Sequence, residues 1–173
     1  MCYERLGDKE KAAADFAGAI EISSKLIDIP ATPPDTMVMA LDGRSYDELL
    51  AGASDKAIED ARRCLALSPR DYTAAYNLGT MLLMAGKFAE ARTAYEAALP
   101  LHTPLGSSGA EIDLIDLRDL GQAPPETTVF LGWIYLKAGK RDLATAELKK
   151  YLADHADGPL AGWAKELVAS SPK

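Results

Sequence analysis

The chain has little of what most chemistry needs. Among its 173 residues there are two cysteines, Cys2 and Cys64, and two histidines, His102 and His155. A pair of cysteines makes neither a disulfide framework nor a zinc site. Aromatic residues are scarce, at 7%. Acidic residues outnumber basic ones, 26 to 19, for a net charge of −7. A surface short of Lys and Arg disfavours nucleic acid and anionic membranes, because phosphate binding rests on those cations. No apolar run is long enough to span a bilayer, and the first residues lack a signal-peptide pattern. What remains is an alanine-rich chain, 48% apolar, suited to closely packed helices.

Within that plain composition one spacing recurs. A Gly is followed five residues later by Ala, then four and three residues later by further apolar residues. The copies are Gly7–Ala12–Phe16–Ala19, Gly52–Ala57–Ala61–Cys64, Gly86–Ala91–Tyr95–Ala98 and Gly139–Ala144–Leu148–Tyr151. The interval from Gly52 to Gly86 matches the period of a helix–turn–helix repeat, about 34 residues. The other two intervals are longer, the one before Gly139 more so, which marks two insertions.

The best-preserved unit runs from Tyr72 to Leu105. Ala75, Leu78, Leu82 and Ala85 form a helical stripe, Gly86 breaks it, and Phe88 to Leu101 forms a second helix before Pro104. Small residues at Gly79, Ala91 and Ala98 allow close helix contact, and Tyr95 fills the space beside them.

Leu131-Gly132 followed by Tyr135, Leu78-Gly79 followed by Leu82, Ala12 followed by Phe16, Ala91 followed by Tyr95, and Pro69 closing a unit resemble the tetratricopeptide repeat family. The resemblance implies an all-α, right-handed superhelix with a C-terminal capping helix. The single domain would comprise a partial first repeat (1–26), a Pro-rich insertion (27–37), three repeats (38–71, 72–105 and 125–158) and an acidic insertion (106–124) before the last of them. A capping helix (159–170) would close it. The second repeat departs from the pattern: Arg44-Ser45 replace Leu-Gly, and Ala61 replaces the aromatic. Met1 falls inside a repeat, as in a fragment of a longer chain.

The chemistry-bearing residues read as structural. Each histidine lies eleven residues after its unit's Ala, where a cation complements a helix C-terminus. Cys64 takes a small-residue packing slot. Asp113, Asp116 and Asp119, with Glu111, lack the alternating ligands and Gly turn of a hard-cation loop and read as a solvated face. Gly106-Ser107-Ser108-Gly109 lacks the Lys-Ser/Thr of a phosphate loop. With no nucleophile–base set, the expectation is no enzyme, no catalytic residue, no metal and no cofactor. Trp163 is expected to pack the cap onto the Ala144–Tyr151 helix.

The resemblance places the first helix of each repeat along an inner groove. The partner-binding residues expected there are Tyr46 and Leu50, Tyr76, Asn77, Thr80 and Met84, and Phe130, Trp133 and Lys137, with Met39 and Asp42 beside the first pair. This set is aromatic and lacks the Lys and Arg pattern that clamps a chain-terminal carboxylate. It suits an extended or helical segment of a partner protein. Ala110 to Leu120 reads as an acidic amphipathic helix that packs either across the groove or on the outer face, and Pro30, Pro33 and Pro34 read as a stiff spacer. Competing readings are a homo-oligomer formed through the incomplete first repeat, and the recruiting portion of a larger enzyme. A bacterial cytoplasmic or periplasmic setting fits equally.

Overall fold

A computed structural model of the chain describes residues 9–101 and 109–170. Cys2, Tyr3, Gly7, His102, Pro104 and the joint at Gly106-Ser107-Ser108 lie outside the described residues. Among the described residues there is no strand. The helices are α1 (Lys9–Ile27), α2 (Pro34–Leu50), α3 (Ser54–Leu67), α4 (Tyr72–Met84) and α5 (Phe88–Ala98). A 3-10 turn (Leu99–Leu101) follows, then α6 (Gly109–Asp119), α7 (Thr127–Lys137), α8 (Arg141–Asp154) and α9 (Ala161–Ala169).

The recurring glycines end helices. Gly52, Gly86 and Gly139 all have positive φ, 81°, 73° and 73°, as does Gly121. At Gly86 the backbone turns left-handed, so Lys87 N–H reaches back to the Leu82 carbonyl at 2.9 Å. The same return bond joins Ala53 to Glu48, Lys140 to Tyr135 and Gln122 to Leu117. A residue with a side chain is strained in this left-handed region, whereas Gly is not, and the return bond satisfies a carbonyl that the helix leaves over. At the other end of α4, Asp71 accepts from the N–H groups of Thr73 and Ala74, at 2.8 and 3.4 Å.

The residues 27–37 are not a spacer throughout. Helix α1 continues to Ile27 and α2 opens at Pro34, leaving 28–33 as the connection. Pro34 has its φ preset for the first turn of a helix and lacks an N–H that would go unsatisfied there. Much of the excess over one repeat period is taken up by longer helices, 19 residues in α1 and 17 in α2 against 13 in α4.

The chain divides into two compact units, one through Ala110 and one from Glu111. In the first, α1 packs on α2, and the hairpins α2–α3 and α4–α5 pack through α3 and α4. Its interior includes Ile27, Ala40, Leu41, Cys64 and Ala74, with Met37, Val38 and Leu65 against them. In the second, α7 and α8 form the hairpin, and α9 closes over Val129, Leu148 and Tyr151 with Ala161 and Ala164.

Each hairpin is closed by a small residue facing a residue sixteen positions later. A Cβ added at Gly79 would lie 3.0 Å from the Tyr95 ring. One added at Gly132 would lie 2.6 Å from Leu148 Cγ. In the second repeat the same two slots hold Ser45 and Ala61, both buried. Both slots are small here, so the unequal division of volume seen at Gly79–Tyr95 is evened out. The preceding slots are occupied by charge: Arg44 donates to Asp60 through Nε and Nη2, at 2.5 and 2.8 Å, and to Ser24 Oγ on α1 through Nη1 at 2.9 Å. The Asp60 side chain is 4% exposed, so the pair replaces an apolar contact with a buried, bidentate one. The altered hairpin therefore closes, through different chemistry from its neighbours.

Helix α6 buries Leu114 and Leu117 completely. Its polar side chains reach the α7–α8 hairpin: Glu111 accepts from Lys140 Nζ at 2.9 and 3.0 Å, and Arg118 donates to Glu147 at 3.0 Å. Glu111 is thus engaged rather than part of a solvated face. Glu147 occupies the slot that Asp60 takes in the second repeat, and α6 supplies its cation. Both anchors lie at the α7–α8 turn or on α8.

Candidate partner-binding face

The residues expected in the groove divide by exposure. Helix α2 turns one arc outward: Asp35, Met39 and Gly43 are exposed, and Thr36, Asp42, Tyr46, Asp47 and Leu50 are partly so. These positions fall within less than half a turn at 100° per residue, while Ala40, Leu41, Ser45, Glu48 and Leu49 face inward. Met39 is 76% exposed, the most exposed large apolar side chain among the described residues.

Helix α4 joins this face through Asn77, whose Nδ2 donates to Asp42 Oδ1 at 2.6 Å. Burial raises the Asp42 pKa; the Asn77 bond works against that rise, and the nearby Asp71 adds to it. Met84 is partly exposed at the far end of α4. The two remaining α4 candidates are closed to solvent. Tyr76 is 4% exposed, held edge-on to Tyr72 with ring centroids 6.2 Å apart and tilted to Tyr95 at 5.8 Å. Thr80 is 1% exposed, its hydroxyl 2.8 Å from the Tyr95 hydroxyl. Their rings and hydroxyls are spent on the hairpin interior.

In the second unit Phe130 is fully buried and Trp133 is 3% exposed. Both lie against Trp163 of the closing helix, with centroids 5.2 and 6.2 Å away. Trp163 therefore packs edge-on and tilted against α7 aromatics, besides joining the apolar cluster that α9 forms with α8. Lys137 is exposed and lies 5.8 Å from the Trp133 ring centroid, a cation–π contact. The aromatics expected as a ladder are thus mostly internal packing. The face open for contact is the arc of α2 with Asn77 and Met84 of α4. Exposure of Met39 was legible in its place on the helical wheel; the closure of Phe130 and Trp133 depends on where Trp163 docks.

The remaining candidates are structural. Cys64 is buried, with Sγ 3.7 Å from the Val38 carbonyl. Burial, reinforced by Asp42, Asp71 and Asp60, pushes its thiol up to about 11. His155 caps the C-terminus of α8 and stacks on Tyr151 at 5.2 Å. No group of three His, Cys, Asp or Glu among the described residues is placed to hold a metal.

One residue escaped the sequence reading. Glu48 points inward from α2, 6% exposed, with Oε2 unbonded. Burial raises its pKa, with Asp60 adding to the effect and Arg44 and Lys56 opposing it. The signal available was its register, three residues after Ser45, where Leu82 follows Gly79.

Two tetratricopeptide repeat models match the sequence, at residues 45–105 and at residues 1–26, together half of the chain. The fold is similar to the crystal structure of MamA, with a TM-score of 0.49 and 19% identity over 96% of this chain and 92% of that one. No helix among the described residues is long and apolar enough to cross a membrane. The longer match takes in the Gly52 and Gly86 copies of the recurring spacing and the shorter one the Gly7 copy, and the chain belongs to the tetratricopeptide repeat family of protein–protein interaction scaffolds.

Proposed function

We propose that the chain is a non-enzymatic scaffold that binds an extended or helical segment of a partner protein along the outward face of α2 and α4. The observation that carries this reading is Met39, a large apolar side chain 76% exposed on a first helix of a repeat. Partly exposed Tyr46 and Leu50 lie on the same arc. Met and Tyr are favoured at protein contacts because they offer large contact area and adaptable packing. Asn77, tied to Asp42, joins the two helices into one surface.

A photo-crosslinking residue at position 39, in cells making the full chain, should capture a discrete partner. The same residue at position 143 on α8, where Leu143 is also exposed, should not. Equal capture at both positions, or none at position 39, rules the reading out.

A self-assembly reading draws on a different stripe. Ile22, Leu26 and Ile29 are exposed at helical spacing along and just beyond α1. This stripe would stack on a second copy, giving a size in solution that rises with concentration and stays monomeric in Ile22→Ser/Ile29→Ser.

A further inference from the structure

We infer that the segment docking on the α2–α4 face is basic, setting an apolar side chain on Met39 and Lys or Arg side chains against Asp35 and Asp42. This rests on the docking reading above and adds the chemistry of the partner.

The argument is one of uncompensated charge. Asp35 and Asp42 lie on the same side of α2 as Met39. The one cation in α2, Arg44, faces the other way and is held by Asp60 and Ser24. Helix α4 has no charged side chain from Tyr72 to Met84. Asp71, at its head, adds a further negative charge that Asp42 senses. Neither helix thus places a Lys or Arg on this face. Asp42 gives Oδ1 to Asn77, and its Oδ2 accepts no hydrogen bond among the described residues. A partly buried carboxylate with a free oxygen is well placed to accept from an incoming ammonium or guanidinium, which would also offset the cost of its burial.

Lys and Arg also suit the apolar half of the face, since their methylene stems cover surface such as Met39 while the charged end reaches a carboxylate. A second copy of this chain does not fit: pairing the face with itself would oppose like charges, in a chain of net charge −7. Nucleic acid and anionic lipid fail for the same reason.

The test uses the full chain and a displayed library of random peptides, each about four helical turns long. Selected peptides should be enriched in Lys and Arg. Their affinity should fall about three- to tenfold in Asp35→Asn/Asp42→Asn, the range for two partly exposed ion pairs, and fall again at high salt. Met39→Ser should weaken binding as well. Asp142→Asn/Asp157→Asn removes the same charge from exposed sites in the other unit and should change nothing.

Neutral or acidic peptides that still lose affinity in Met39→Ser would overturn the basic partner and leave the docking face standing. So would an equal loss in the Asp142/Asp157 control. Peptides indifferent to Met39→Ser, or no selected peptide at all, would overturn both. A dimer abolished by Met39→Ser would put a second copy on the face and overturn the inference. Thermal melts of each variant separate lost binding from lost folding.

Discussion

The Tyr95 ring lies so close to Gly79 that a single added carbon would stand 3.0 Å from three of its atoms. The contact sets the distance between α4 and α5, and it works because the two residues divide the available volume unequally. The same division recurs at Gly132 and Leu148, and it is evened out at Ser45 and Ala61.

Gly79→Ala should therefore destabilise the first unit by about 1–3 kcal/mol, the usual cost of overpacking an interior. Urea unfolding measures it. In a Tyr95→Ala background the same change should cost less, because a partner as small as Ala61, which faces a side chain at Ser45, makes room for the methyl group. Equal costs in both backgrounds would separate Gly79 from Tyr95.

Asp60→Ala should cost about 3 kcal/mol or more, since it strands the Arg44 guanidinium in a site where Asp60 is 4% exposed. Arg44→Leu/Asp60→Ala copies Leu78 and Ala94 of the next repeat. It should lose less than the single change, because neither Arg44 nor Asp60 is left buried without the other. Chemical denaturation of the two variants decides the order.

Glu48 predicts a dependence on pH. Its folded pKa is raised by burial above the ordinary 4.5, so folding favours the protonated form. The stability it contributes is present below the unfolded pKa and is lost as pH rises from about 4.5 through the raised folded value. Glu48→Gln keeps the shape without the charge. It should be more stable than the parent by about 1 kcal/mol at pH 7, from relief of a buried ionised oxygen, with the gain fading towards pH 4. Melting temperatures across pH 4–8 test the sign.

Cys64 should be inert while the chain is folded. With its pKa pushed up to about 11, roughly one molecule in a thousand carries the thiolate at pH 8. In a Cys2→Ser variant, labelling by a disulfide reagent should appear only as urea unfolds the chain. Rapid labelling in native buffer would contradict the buried placement.

Much of the fold was legible because it rests on short-range rules. A left-handed helix end calls for Gly, and a close helix crossing calls for Ala or Gly opposite bulk. Gly86, Ala91 and Tyr95 therefore reveal a hairpin without any knowledge of the rest. Register alone likewise assigns Met39 to the outward side of α2, and the shift from Leu-Gly to Arg44-Ser45 announces a repeat with different closing chemistry.

Tertiary structure decided what those local rules leave free. Trp133 and Phe130 have the composition of a binding ladder, yet the docking of Trp163 encloses them. Glu111 and Arg118 look like solvated charge, yet they hold α6 to Lys140 and Glu147. Asp60 gives no sign along the chain that Arg44, sixteen residues earlier, will neutralise it. Spacing along one helix sets which way a side chain points. Whether it meets solvent or a neighbour depends on elements distant in sequence, and here that difference moved the candidate site from an aromatic ladder to the acidic, Met39-centred face of α2.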